Sequence, residues 1–165
     1  MKNITLFFLI LILNNSISAY AQSQTTLILL RHAEKSQDGT KDPSLSSEGH
    51  ERAERLLDQF KLNDINAFYT TPYKRTRETI LPLAQSKQRD VVEYRPFDKN
   101  LLKELLKEHQ GETIMISGHS NTIPVYVNQL IGEEKFKQLN EDEYDKVFIV
   151  TLEELGKGKL LILSL

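Results

Sequence analysis

The chain has 165 residues, a formal net charge of −2 and no cysteine. This length fits one domain that could bury about two thirds of its unfolded surface. Without cysteine the chain can form neither disulfides nor a cysteine-linked lipid anchor, and its mixed charges give no sign of a nucleic-acid or anionic-membrane partner.

The beginning of the chain predicts a signal peptide over residues 1–21. Lys2 supplies a positive charge, residues 6–13 form an unbroken apolar run, and Ala19–Ala21 fits the small-x-small pattern of a cleavage site. A membrane-spanning anchor would need about 20 apolar residues, whereas this run stops at Asn14. We therefore expect export to the periplasm or the medium, with no stable membrane anchor after cleavage.

The remaining residues, 22–165, predict one domain. Short aliphatic runs alternate with helical patterns along this part of the chain. Such alternation is typical of β-α-β units. We predict an α/β fold with three layers, in which helices flank a mostly parallel central sheet.

The first predicted strand, residues 27–30, runs directly into Arg31 and His32. Four consecutive aliphatic residues suit a strand that is buried on both faces of a parallel sheet. Ligands of open α/β sheets bind at the carboxyl ends of the strands. Arg31 and His32 should therefore stand at the mouth of a site.

The middle of the chain continues the alternation. Ser46 or Ser47 can cap a first helix after a polar loop. A short strand over 66–69 leads into a helix over about 73–85, where Pro82 should bend the helix or mark its last turn. A third strand over 91–94 then precedes a helix with a stripe of leucines at 101, 102, 105 and 106.

A second strong strand, residues 113–117, is followed at once by Gly118-His119-Ser120-Asn121. A helix over about 122–131 and a charged segment, 133–145, come next, and Phe136 and Leu139 suggest a short helix in that segment. Strands over 147–152 and 160–163 should form a C-terminal hairpin.

Three predicted strands thus end in chemically capable residues: Arg31 and His32, then Thr70 and Thr71 leading to Arg75, then His119. These ends should converge at one edge of a parallel sheet. The guanidinium fork of arginine fits phosphate oxygens, and no glycine-rich loop is present to hold a phosphate instead. Neutral imidazole is a nucleophile, and nearby arginines disfavour its protonated form. The pattern predicts chemistry on a single phosphate.

Four segments, in this order, carry a resemblance to a known family: Leu30–Lys35 (LRHAEK), Leu45–Ala53, Thr71–Thr79 and Gly118–Thr122. They resemble the motifs of the histidine phosphatase superfamily, which includes the phosphoglycerate mutases. The likeness extends from about residue 26 to residue 128, which is most of the predicted domain. It implies a phosphoglycerate mutase-like fold.

The resemblance also implies an activity, a phosphomonoesterase that needs no metal or other cofactor. His32 would attack phosphorus and form a phosphohistidine, which water would then cleave. Arg31, Arg75 and His119 would bind the phosphoryl oxygens and stabilise the charge of the transition state.

The proton donor to the leaving group is less clear from the sequence. Asp98 is the first candidate because short family members usually place an acid after the third strand; Glu34 and Asp42 are the second and third. Glu34 and Asn121 are further candidates for substrate contact, although Asn121 could instead shape the turn before the next helix.

The sequence is also compatible with two other functions. A degenerate relative would bind phosphorylated ligands without turnover. A metallohydrolase would use His32, His119 and Asp42 as ligands, but the chain has no close His-x-His or His-x-x-x-His pair. For a phosphatase we expect a small phosphate ester as substrate, or an ester linked to a glycan or lipid of the cell envelope.

Overall fold

The computed structural model describes residues 23–165. The predicted signal peptide and its cleavage site lie outside these residues, so both stay predictions. None of the helices within the described range has the length and apolar character needed to cross a membrane.

A six-stranded sheet forms the middle layer. Its strands are β1 (Thr25–Arg31), β2 (Ala67–Thr70), β3 (Val91–Glu93), β4 (Thr113–Gly118), β5 (Lys146–Leu152) and β6 (Lys159–Ser164). Their order across the sheet is β3-β2-β4-β1-β5-β6. The first four strands are mutually parallel, and β5 and β6 form an antiparallel hairpin beside β1. The predicted α/β class, mostly parallel sheet and C-terminal hairpin are confirmed.

Four helices form the outer layers: α1 (Ser47–Phe60), α2 (Lys74–Ser86), α3 (Leu101–Glu108) and α4 (Ile123–Ile131). The side chain of Ser46 accepts a hydrogen bond from the amide of Gly49 and caps α1, as predicted. Pro82 lies inside α2, which continues to Ser86.

The two faces of β1 contribute to two separate cores. Leu27 and Leu29 pack with α3 and α4, whereas Ile28 and Leu30 pack with α1 and α2. All four side chains are at most 3% exposed. Since fully burying such a side chain is worth about 1.5–3 kcal/mol, the aliphatic run holds β1 in the centre of the sheet.

The predicted short helix around Phe136 and Leu139 is wrong, because residues 133–145 contain neither helix nor strand. The side chain of Asn128, on α4, accepts hydrogen bonds from the amides of Lys135 and Phe136 and donates one to the carbonyl of Phe136. These bonds take up backbone groups that a helix would need, and they hold the segment as a loop.

The register of the parallel strands brings the predicted site residues to one edge. Arg31 is paired with Gly118 across β1 and β4, and the amide of His32 donates to the carbonyl of Gly118 at 2.9 Å. A Cβ atom at Gly118 would lie within 2.9 Å of side-chain atoms of Thr122 and Tyr94. Glycine at this position therefore lets β4 pass closely under the turn that presents His119.

Candidate active site

An open, polar cavity of about 340 Å³ lies at the carboxyl ends of β1, β2 and β4. It is lined by Arg31, His32, Lys35, Tyr73, Arg75, Pro96, His119, Ser120, Asn121, Gln138 and Glu141. The structure thus brings together both histidines and both arginines that the sequence singled out, and it places Asn121 beside them.

His32 follows the last residue of β1 and is only 5% exposed. Its Nδ1 lies 2.7 Å from the carbonyl oxygen of Ala33. A carbonyl can only accept, so Nδ1 carries the proton and Nε2 keeps its lone pair. Burial, reinforced by the charges of Arg75 and Arg31, lowers the pKa of His32 to about 3. The imidazole is therefore neutral at pH 7 and available as a nucleophile.

His119 stands beside His32, with 5.5 Å between the ring centroids. Its Nε2 lies 2.9 Å from the hydroxyl of Thr71, which also contacts the hydroxyl of Thr76 at 2.9 Å. Burial and the same two arginines lower the pKa of His119 to about 4. The hydroxyl pair at the start of α2 therefore orients the second imidazole, a role that no sequence motif indicated.

Arg31 is held by the segment 140–144, far along the chain. Its Nη1 donates to the carbonyls of Asn140, Glu141 and Glu143 at 2.7, 3.1 and 3.2 Å, and its guanidinium lies 4.1 Å from the centre of the Tyr144 ring. The buried Nε has no hydrogen-bond partner in the described part of the chain. The carbonyl contacts and the Tyr144 ring fix the orientation of this guanidinium, which lines the cavity.

Arg75 lies in the first turn of α2 and approaches the cavity from the other side. Its guanidinium lies 4.6 Å from the centre of the Tyr73 ring, and Nη1 lies 3.6 Å from the carboxylate of Asp42. Asp42 also accepts from the amide of Lys74 at 3.1 Å. Asp42 therefore orients Arg75, and it does not line the cavity itself.

Asp98 and Glu34 are not brought to the cavity. The carboxylate of Asp98 accepts from the amide of Asn100 at 2.9 Å and faces a different depression, beside Tyr69. Burial alone would raise the pKa of Glu34, but hydrogen bonds from Arg52, the shortest at 2.6 Å, bring it below its usual range. These positions contradict a direct contact of either carboxylate with a ligand in this cavity.

The cavity suits an anion better than a cation. Arg31, Arg75 and Lys35 all line it. Within residues 23–165 no three histidine, aspartate or glutamate side chains lie close enough to share a metal ion. Asp42, the carboxylate that the metallohydrolase hypothesis needs, is paired with Arg75.

Comparison with known proteins gives a family match in the first half of the described chain. Residues 27–97 match the model of the histidine phosphatase superfamily (branch 1). Over 72 residues the chain is 35% identical to phosphoserine phosphatase 1 from Hydrogenobacter thermophilus. This alignment covers 40% of the chain and 34% of the relative, so it spans about a third of that protein.

Solved structures share the fold over nearly the whole described chain. A phosphoserine phosphatase from Entamoeba histolytica, in complex with 3-phosphoglyceric acid, superposes with a TM-score of 0.67 at 19% identity, covering 86% of this chain and 98% of that one. The protein histidine phosphatase SixA, complexed with tungstate, gives 0.69 at 17% identity, covering 84% and 96%. At these identities the likeness shows the fold, and the predicted phosphoglycerate mutase-like architecture is confirmed.

Proposed function

We propose that the chain is a member of the histidine phosphatase superfamily and that it hydrolyses phosphate monoesters through a phosphohistidine at His32. One observation carries the proposal: a buried, neutral His32, with its Nδ1 proton held by Ala33, lies between two arginines and a second histidine. This is the set of groups that attack on a phosphoryl group requires.

In the first step Nε2 of His32 attacks phosphorus and the ester P–O bond breaks. The bonding electron pair moves to the leaving oxygen, which takes up a proton. Arg31 and Arg75, which both line the cavity, bind the phosphoryl oxygens. Preorganised donors of this kind stabilise the charge that is spread over the oxygens in the transition state.

His119 contributes a hydrogen bond and no net charge. The Thr71 hydroxyl can donate to Nε2 of His119, which leaves a proton on Nδ1 for a phosphoryl oxygen. In the second step water attacks the phosphohistidine, the P–N bond breaks, and the electron pair returns to His32. Dividing the reaction in this way replaces one slow hydrolysis with two easier displacements.

A small phosphate monoester fits the cavity best. The cavity is open and lined mainly by polar groups, including Lys35, Gln138 and Asn121, which could contact the alcohol portion of a substrate. The proteins reported above are named as phosphoserine phosphatases and as a protein histidine phosphatase. These names support a small phosphorylated compound or side chain as substrate.

We also propose that the enzyme acts outside the cytoplasm, because its sequence predicts a signal peptide. Residues 1–21 have the charge, apolar run and cleavage pattern of such a peptide. An exported phosphatase would meet phosphate esters of the envelope, linked to glycans or lipids. Sequencing of the exported protein should find Gln22 as its first residue, and recovery of an uncleaved cytoplasmic protein would contradict export.

The proposed chemistry predicts a covalent intermediate. Mature protein incubated briefly with a ³²P-labelled phosphomonoester and quenched in base should carry acid-labile, base-stable label on His32. His32→Ala should abolish labelling, whereas His50→Ala, which changes an exposed histidine on α1, should not.

Two other outcomes would favour the other hypotheses. Binding of phosphate without label or turnover would indicate a non-catalytic module. Loss of activity with EDTA and its recovery with zinc would indicate a metallohydrolase; we expect activity to persist in EDTA.

A further inference from the structure

The leaving group of an alkyl phosphate needs a proton. Each carboxylate that the sequence suggested for this step contacts another group of the protein. Asp98 accepts from Asn100, Glu34 is bound by Arg52, and Asp42 pairs with Arg75. A positioned general acid typically contributes 10²–10⁴-fold to rate. The question is which other acid the site offers.

Glu141 is the one carboxylate among the side chains of residues 23–165 that line the cavity. Its Oε2 lies 3.5 Å from Nη2 of Arg31, and its backbone carbonyl accepts from Nη1 of the same guanidinium at 3.1 Å. The backbone of Glu141 is thus anchored to a phosphate-binding arginine. Its side chain is 82% exposed and lines the cavity.

We propose that Glu141 is the proton-transfer group of this site, a role that rests on the proposed phosphatase function. In an in-line displacement the leaving oxygen departs on the side of phosphorus opposite the attacking nitrogen. His32 is buried, so the leaving oxygen points towards the open side of the cavity. Glu141 lies on that side, one guanidinium away from the phosphoryl group.

The proton balance closes over both steps. As the P–O bond breaks, the carboxyl of Glu141 gives its proton to the leaving oxygen and becomes a carboxylate. That carboxylate then accepts a proton from the water that attacks the phosphohistidine. Phosphate is released, the electron pair of the P–N bond returns to His32, and Glu141 ends the cycle as it entered the first step.

The test is the dependence of Glu141→Gln on the leaving group. The parameter to compare is kcat/KM, because it covers only the steps up to formation of the phosphohistidine. For an alkyl phosphate, whose alkoxide must be protonated, we expect kcat/KM to fall roughly 100-fold or more. For p-nitrophenyl phosphate, whose leaving group needs no proton, we expect kcat/KM to fall by less than about threefold by the same argument. Glu141→Asp should recover part of the alkyl phosphate activity. The matched control is Asp142→Asn, which removes the same charge from an exposed neighbour outside the cavity and should leave both activities unchanged.

Three outcomes would overturn the role of Glu141. One is an equal fall for both substrates. The second is no fall for either substrate. The third is a lower KM with unchanged kcat, which would mean that Glu141 only competes with phosphate for Arg31. Labelling of His32 in the unmutated enzyme separates these outcomes from failure of the phosphatase proposal itself, because it tests for the phosphohistidine without any change at Glu141.

Discussion

His32 and His119 occupy equivalent places at the ends of neighbouring parallel strands, yet their surroundings give them different chemistry. Nδ1 of His32 faces a carbonyl, which can only accept, whereas Nε2 of His119 faces a hydroxyl, which can also donate. His32 is nearly fully buried and His119 is half-buried. In the proposed mechanism the hydrogen-bond partner, rather than the residue type, thus distinguishes the nucleophile from the donor to the phosphoryl group.

Replacing His119 tests this separation with the largest expected effect. His119→Ala removes one donor to the phosphoryl oxygens, and loss of one such donor typically lowers kcat by about 10²–10³-fold. His32 would remain in place, so label from a phosphomonoester should still accumulate on it, slowly. Rapid-quench labelling measures both quantities. If His119→Ala forms no label at all, like His32→Ala, the two histidines do not have separate roles.

The dependence of protein stability on pH gives a second prediction for these two histidines, with a smaller expected effect. The pKa of folded His32 is about 3, and that of an unfolded histidine is about 6.5. Between these pH values the unfolded chain binds a proton at this histidine and the folded chain does not. The free energy of unfolding therefore decreases as the pH falls below about 6.5. Each pH unit costs about 1.4 kcal/mol per such group, or about 2 kcal/mol for His32 between pH 6.5 and 5.

Urea unfolding at pH 7 and pH 5 measures this loss. His32→Gln should reduce the difference between the two free energies of unfolding by about 2 kcal/mol. His119→Gln should reduce it in the same direction but by less, because solvent reaches its half-buried ring. An identical pH dependence in the parent and His32→Gln proteins would contradict a buried, neutral His32.

The strand ends could be predicted from sequence because their cause is local and strong. Aliphatic runs define β1 and β4, and parallel pairing then brings whatever follows them to one edge. The same argument explains why His32, His119 and Arg75 meet in one cavity. A short polar sequence after a buried strand therefore carries information about a site before any coordinates are known.

The rest of the site depends on contacts that no local pattern encodes. Arg31 is held by carbonyls more than 100 residues away, and any residue types could supply those carbonyls. Asp98 and Glu34 were misplaced because sequence proximity says nothing about side-chain direction, which is set here by the amide of Asn100 and by Arg52. Glu141 lies in a charged segment whose approach to the cavity depends on Asn128 and Arg31 together.

The smallest expected effect concerns the hydroxyl that orients His119. Thr71→Val removes the partner of Nε2 while Thr76 can still donate to the carbonyls of Thr71 and Tyr73. A hydrogen bond of this kind is worth about 1 kcal/mol, so kcat should fall about five- to tenfold and Thr71→Ser should restore it. The matched control is Thr70→Val, which removes an equally buried hydroxyl that donates to the carbonyl of Thr71 and does not touch His119. Both valine variants should lose similar stability in urea, but only Thr71→Val should lose activity; equal activity in the two variants would show that the hydroxyl does not orient His119.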